Sequence, residues 1–417
     1  MLGRSPVSYT TRGFPAPRSG LFPARPRSLL ARAFARNSVL RQMDWVLVLV
    51  VLGLSAIGTL LVWSATQPSL IAAGQDPRTY LKKQLLIVVV GLVMMFAVTL
   101  ADSRQLRMWA PLVYGLTVLA LVAVLTPAGS DINGARAWFD LPGGFQIEPS
   151  EFAKIALILT SAAIFSRARR GQPGIVSLLK ALACAAPLLA LVVIEPALGV
   201  ALILLGVTAT MIVLSGLKFR VIGALAGIVA IVAFAAGGLH LLKSYQLTRF
   251  TSFLHPSADL SGAGYNAAQA QISVGSGGMF GQGLFHGQLV AGNFVPAQQT
   301  DFIFTVAGEE LGFVGAITIV ILLGVVIARA LRIAATADDQ FGMLVASGIA
   351  IWFAFQSFVN IGMTIGIMPI TGLPLPFVSY GGSAVFADMI AIGILQSVHR
   401  KRTGLAAVWT ARPSRGE

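Results

Sequence analysis

The sequence predicts an all-α polytopic integral membrane protein: ten transmembrane helices, both termini cytoplasmic, and one long external loop between helices 7 and 8. Three observations predict this. Of 417 residues, 56% are hydrophobic and only 11% charged, with mean hydropathy +0.81. A soluble domain carries about 25% charged residues, so an ordinary cytosolic enzyme, a disordered chain and a fibrous repeat are all excluded. Apolar runs of roughly 17–25 residues recur from Trp45 onward, the length that crosses the hydrocarbon core as a helix. The basic residues, finally, are divided unevenly between alternate connections.

The elements follow in order. Residues 1–43 hold eight Arg, five Pro and no Asp or Glu. That composition suits an organellar transit segment, a flexible cytoplasmic tail, or an extension upstream of an alternative initiator at Met43. No fold is expected there. Residues 44–402 form the membrane domain, with spans near 45–63, 84–101, 108–127, 151–166, 177–194, 197–215, 220–242, 303–329, 341–368 and 376–398. Residues 403–417 are a second cytoplasmic tail. With the N-terminus inside, 23 Lys and Arg lie on the cytoplasmic side and six outside, Lys154 falling within a span. This is the positive-inside distribution. It also accounts for the net charge of +14 without nucleic acid, because anionic lipid favours basic residues on that face. One cysteine, Cys184, rules out a disulfide framework, and four histidines without helical pairing leave no zinc motif.

Two external segments stand apart. Residues 243–302 form a segment of roughly sixty residues, where loops of such length are functional or disordered. Its string GAGYNAAQAQISVGSGGMFGQGLFHG is rich in Gly and aromatics and poor in charge. A partly buried, re-entrant or interfacial segment fits that composition better than a solvated tether. Residues 128–150 share it and are expected at headgroup level.

Ionisable groups in or near a bilayer are costly, so each is a functional candidate. Glu151 and Lys154 open the fourth span in EPSEFAK. At i,i+3 they share a helix face and can pair, as structural buttress or substrate contact. Ser150 suits the N-cap. Asp301 lies where the long loop meets an apolar helix, in QQTDFIFTVAGEELGFVG, and the next basic residue downstream is Arg329. It is either an N-cap or a carboxylate placed for proton abstraction. Glu309 and Glu310 are read as helix contacts, Glu195 as exposed in a tight external turn, and Asp388 as a group whose partner the sequence does not name. The stretch PITGLPLPFVSYGGSA (369–384) holds Pro369, Pro374 and Pro376 with a Gly pair. A broken helix or re-entrant turn is expected, buried in protein or lining a cavity.

Four strings in this order resemble the signatures of one family. They are NGARAWFDLPGGFQIEPSEFAK, SGAGYNAAQAQISVGSGGMFGQGLFHG, TDFIFTVAGEELGFVGA and NIGMTIGIMPITGLPLPFVSYGGSA. The chain is identified on them as a member of the SEDS family (RodA/FtsW/SpoVE), from about Asp44 to Arg402. Asp44-Trp45, NIGM at 360–363, PITG, and GGSA followed by SVHRK resemble the RodA branch, which serves elongation, more than the FtsW branch.

The resemblance implies a peptidoglycan glycosyltransferase. Such an enzyme polymerises lipid II at the outer face of the plasma membrane, with a class B penicillin-binding protein as transpeptidase partner. The family's essential Asp falls on Asp301, its Glu and Lys on Glu151 and Lys154, and the Arg closing its Y-Q-x-x-R string on Arg249. Direct attack with inversion needs one general base, since a diphosphate already leaves well. A divalent cation, Mg²⁺ or Mn²⁺, is expected by analogy with diphosphate chemistry, with Arg249 and Lys154 as further cations, although no metal motif is visible. A lipid II flippase and a non-catalytic scaffold are the alternatives. Three positions depart from the family pattern. The turn written Q-P-D-L-G reads Glu195-Pro196-Ala197-Leu198-Gly199, Ala137 replaces an Arg, and Gln299 stands where a His precedes T-D-F.

Overall fold

The computed structural model describes residues 42–132, 135–167, 174–217, 220–221, 223 and 262–410. Its helices are α1 (Trp45–Ala72), α2 (Thr79–Thr99), α3 (Ser103–Val124), α4 (Pro149–Phe165), α5 (Ile175–Ile194) and α6 (Leu198–Leu214). They continue with α7 (Ala263–Ser276), α8 (Gln288–Ala291), α9 (Ile303–Ala335), α10 (Gln340–Thr364) and α11 (Gly382–Thr410). Nine of the ten predicted spans fall on these helices. The seventh, 220–242, lies outside the described residues, as do the N-terminal tail to residue 41 and the end of the C-terminal tail. Among the described residues seven helices are long and apolar enough to cross a membrane. The helices α4 and α6, at 17 residues each, reach only about 25 Å and rely on their neighbours for cover.

Packing explains how the two short helices are tolerated. All residues of α4 except Phe152 and Ile164 are buried. It touches α3, α5, α6, α10 and α11, so its apolar residues have no lipid-facing side to distinguish. A helix apolar all round belongs in the interior. The outer helix α2 and the buried α11 meet closely because glycines let their backbones approach. A methyl group at Gly393 would stand 2.6 Å from the Met95 carbonyl oxygen.

Three features differ from the sequence reading. Residues 130–147 are not merely an interfacial loop. They form an antiparallel meander, β1 (Ser130–Ile132), β2 (Ala135–Leu141) and β3 (Phe145–Ile147), in the order β1-β2-β3, so the all-α reading holds only for the helical part. Gly143 and Gly144 supply the positive-φ turn between β2 and β3, and strands this short gave no period-2 signal. The last helix runs to Thr410, past the boundary at 402.

The third difference is a break inside α9. Gly312 has φ 66° and ψ −164°, and the helical partners on either side separate. In an unbroken helix the carbonyls of Glu309 and Glu310 would accept from Phe313 and Val314. Instead they accept from Gln282 (2.9 Å) and Gly283 (3.0 Å), while Phe313 and Val314 donate to Gly278 (2.9 Å) and Met279 (3.1 Å). Residues 278–283 of the long segment thus enter the helix ladder and satisfy all four freed groups. Its glycines permit the approach: a methyl at Gly281 would fall 2.1 Å from the Glu310 carbonyl oxygen. The side chains hold the same loop. Glu309 accepts from Ser273 Oγ (2.8 Å) and Leu289 N (2.7 Å), and Glu310 from Ser64 Oγ (2.5 Å) and Phe285 N (3.2 Å). The described part of the segment is therefore built into the bundle, as its composition implied, and both glutamates serve as helix contacts.

Candidate active site

The bundle has two poles. At one, Asp44 caps α1 by accepting from Leu47 N (3.2 Å) and pairs with Arg329 Nε (2.8 Å). Asp339 caps α10 and meets Arg107 (3.3 Å), and Asp102 meets Arg400 (3.2 Å). Every one of these aspartates has an arginine. The other pole holds the sheet, the α5–α6 turn, the end of α10, the irregular stretch 365–381 and Asp301.

Asp301 is half-buried and lies one residue before the cap position of α9, which falls on Phe302 with no side-chain capping bond. Its backbone carbonyl accepts from Asn360 Nδ2 (2.7 Å), which also donates to the Leu373 carbonyl (2.6 Å). A methyl at Gly372, where φ is 71°, would lie 3.5 Å from Asp301 Oδ2. The carboxylate is therefore set against the backbone of the 365–381 stretch. The same stretch grips the residues before it. Ser379 Oγ donates to the Thr300 carbonyl (2.6 Å), and Tyr380 N to that of Gln299 (2.9 Å).

That stretch is irregular and buried, as its prolines predicted, with Leu373, Leu375, Phe377 and Val378 all at most 1% exposed. Phe377 takes a positive φ of 64°, and its N–H donates to Asp388 Oδ2 (3.2 Å). This supplies the partner of Asp388 that sequence did not name.

Glu151 and Lys154 pair as their spacing predicts, Nζ to Oε2 at 2.7 Å. Lys154 is fully buried; it also donates to Gln356 Oε1 (3.0 Å) and lies 4.6 Å from the Trp352 ring centre. Gln356 accepts in addition from Trp352 Nε1 (2.6 Å) and donates to the Pro374 carbonyl (2.8 Å). The ammonium is thus enclosed by partners of the protein's own. Trp352, Gln356 and Asn360 form one stripe of α10 that links the ion pair to the stretch flanking Asp301. Sequence reasoning passed over Gln356 and Asn360. The signal was present as polar residues four apart within an apolar span.

Two glutamates complete this pole. The cap of α4 is Glu148 with Pro149 at the first helical position, rather than Ser150. Ser150 Oγ instead donates to Glu148 Oε1 (2.5 Å), and Glu148 N donates to Ser383 Oγ (2.7 Å). Desolvation and the neighbouring Glu151 charge push the Glu148 carboxyl up to about 7, against the pull of Ser150 and Lys154, with Asp301 adding to the rise. Glu195, expected to be exposed, is 1% exposed, and neither carboxylate oxygen has a hydrogen-bond partner among the described residues. Burial, followed by the charge of Glu148, pushes it up to about 8. The turn is buried because α6 starts against the 371–373 backbone: a methyl at Gly199 would stand 2.9 Å from the Thr371 carbonyl oxygen.

Arg249 lies outside the described residues. Among the described residues no group of three or more His, Cys, Asp or Glu could hold a metal ion.

A family model for cell cycle proteins of the FtsW/RodA/SpoVE type matches residues 44–404. The chain belongs to this family. The peptidoglycan glycosyltransferase MrdB of Escherichia coli K12 is 37% identical over 368 residues, 87% of this chain and 95% of that protein. The probable peptidoglycan glycosyltransferase FtsW of Trichlorobacter lovleyi is 37% identical over 362 residues, 86% of this chain and 93% of its own. A chain solved within a peptidoglycan synthase complex, in which polymerization and crosslinking are coordinated, superposes with TM-score 0.72 at 32% identity. It covers 86% of this chain and 98% of that one. The FtsW/RodA/SpoVE family thus spans the whole described bundle, and FtsW and MrdB relatives match it equally well.

Proposed function

We propose that this protein is a peptidoglycan glycosyltransferase. It polymerises lipid II at the outer face of the bacterial plasma membrane, with Asp301 as general base and loss of polyprenyl diphosphate. The observation that supports this best is the setting of Asp301. Its carboxylate lies against Gly372 rather than at the cap position, beside a buried polar network and at the pole opposite Asp44, Asp102 and Asp339. The acceptor hydroxyl is a weak nucleophile, so a carboxylate within hydrogen-bond reach must take its proton as the glycosidic bond forms.

The other groups take supporting roles. Enclosure of Lys154 favours the structural reading of the Glu151–Lys154 pair over substrate contact. The departing diphosphate would then be met by Arg249 and by a divalent cation that the diphosphate itself brings. An apolar cleft of about 530 Å³ between α2, α3, α4 and α11, lined by Trp109, Phe152, Ile155 and Ile394 among others, offers a wall for the polyprenyl chain. A class B penicillin-binding protein is the proposed partner. Elongation is the proposed setting, resting on Asp44-Trp45, NIGM and PITG.

The test is lipid II polymerisation by purified full-length protein in proteoliposomes, with and without the class B penicillin-binding protein. Glycan strands are expected from the parental protein. The Asp301→Asn variant should fold and insert normally and lose about 10²–10⁴-fold in rate. Parental rates from the Asn variant would overturn Asp301 as base, and lipid II translocation without product would favour a flippase.

A further inference from the structure

We propose that Asn360 is a positioning residue for the general base: its amide ties the Asp301 main chain to that of Leu373 and so fixes where the Asp301 carboxylate stands. The inference rests on the reading of Asp301 as base.

Three consecutive carbonyls are held by donors from outside their own segment. Gln299 O accepts from Tyr380 N (2.9 Å), Thr300 O from Ser379 Oγ (2.6 Å) and Asp301 O from Asn360 Nδ2 (2.7 Å). The first two donors belong to the 365–381 stretch. Asn360 belongs to neither chain: it projects from α10, and the same nitrogen donates to the Leu373 carbonyl (2.6 Å). One helix thus sets the spacing of the two chains. The neighbour of Leu373 is Gly372, where an added methyl would lie 3.5 Å from Asp301 Oδ2. The amide therefore spans the seam at which the carboxylate meets the opposing backbone.

Asn360 is fully buried, and both groups before its amide are acceptors, so the nitrogen must face them. Its Oδ1 is then left without a partner among the described residues. A buried acceptor without a donor costs free energy, and an apolar side chain would fill the place without that cost. Gln356, one turn earlier, is the contrast. Its oxygen accepts from Lys154 and Trp352, and its nitrogen donates to the Pro374 carbonyl. Those bonds satisfy both ends of the amide and reach one of the two chains.

The consequence for catalysis is one of reach. A general base must come within about 2.6–3.2 Å of the hydroxyl it deprotonates, and a displacement of about 1 Å can cost about 10²-fold in rate. The Asp side chain is short, so its carboxylate goes where its main chain is held. A bond to the carbonyl fixes that position without engaging the carboxylate oxygens.

The experiment measures kcat and KM for lipid II polymerisation by full-length protein in proteoliposomes, with sites counted by lipid II bound at saturation. Asn360→Leu keeps the approximate size and removes the donors. It should lower kcat per site about 10–100-fold and leave KM and the number of sites within about twofold. A merely structural role would lower the number of sites or raise KM at parental kcat per site. That result overturns the proposal, as does parental behaviour throughout. The Asp301→Asn background, read in single turnovers with enzyme in excess, adds a second check. With no base left to place, Asn360→Leu should cost nothing further there, and the same loss in both backgrounds overturns the proposal. Thermal unfolding checks that the variants are folded. Should Asn360→Leu not fold, Asn360→Ser, whose hydroxyl is too short to reach both carbonyls, is read by the same criteria. An inactive Asp301→Asn with parental kcat in the Asn360 variant overturns the positioning role alone, whereas an active Asp301→Asn overturns both readings.

Discussion

The two poles of the bundle differ in their buried carboxyls: the pole with the sheet keeps the ion pairs Asp76–Lys82 and Asp131–Arg136 at its surface, while its buried carboxyls are short of donors. At the basic pole Asp44, Asp102 and Asp339 each have an arginine, and Asp44 and Asp339 also cap the helix that follows. Charge is neutralised where it stands. At the other pole Glu195 has no partner among the described residues, Asp388 has one backbone donor and a second oxygen without any, and Lys154 is spent on Glu151 and Gln356. Stability alone would select the first arrangement. Carboxyls left short of donors cost free energy, which makes each of them a candidate for function.

The sharpest way to break this contrast is to remove one carboxylate at each pole. Asp339→Asn keeps a good cap and should leave polymerisation per folded molecule unchanged, whereas Asp301→Asn should lose about 10²–10⁴-fold. Equal losses in the reconstituted assay would mean that the poles do not differ in role.

Next in size is the ion pair. Lys154→Met strands Glu151 in the interior and should cost about 3–5 kcal/mol, most of it recovered in the Glu151→Leu/Lys154→Met double variant. Thermal unfolding of the three proteins in detergent measures this. An unaffected single variant would show that the pair carries no structural weight.

The loop insertion in α9 comes third. Gly281 has φ 80° and no room for a methyl against the Glu310 carbonyl, so Gly281→Ala should cost about 1–3 kcal/mol. It should also speed proteolysis between residues 277 and 287. Protection equal to the parent's would argue that the loop is not held by the helix break.

The smallest effect belongs to the basic pole. The Arg107 and Asp339 side chains are each about a third exposed, and such pairs contribute at most about 1 kcal/mol. Arg107→Ala should shift the melting temperature slightly and leave polymerisation intact. A large loss of activity would carry function to the wrong end of the molecule.

What the sequence by itself determined was local or cumulative. Apolar runs and the asymmetry of Lys and Arg marked the spans. The i,i+3 spacing marked the Glu151–Lys154 pair, the prolines of 369–376 marked the irregular stretch, and a Gly-rich, charge-poor composition marked a loop meant for burial. Four ordered motifs identified the family. Only the tertiary structure decided how these pieces meet. It showed that Glu195 is enclosed, that Asp388 bonds to Phe377 N, that Gln356 and Asn360 join the ion pair to the stretch beside Asp301, and that α9 opens at Gly312 to admit residues 278–283. Such contacts join residues up to 202 positions apart, as between Lys154 and Gln356, and no periodicity reports on them. Burial of a turn such as 195–197 depends on which backbone arrives from elsewhere, and a helix breaks at a glycine only when another strand is there to satisfy its freed carbonyls and N–H groups.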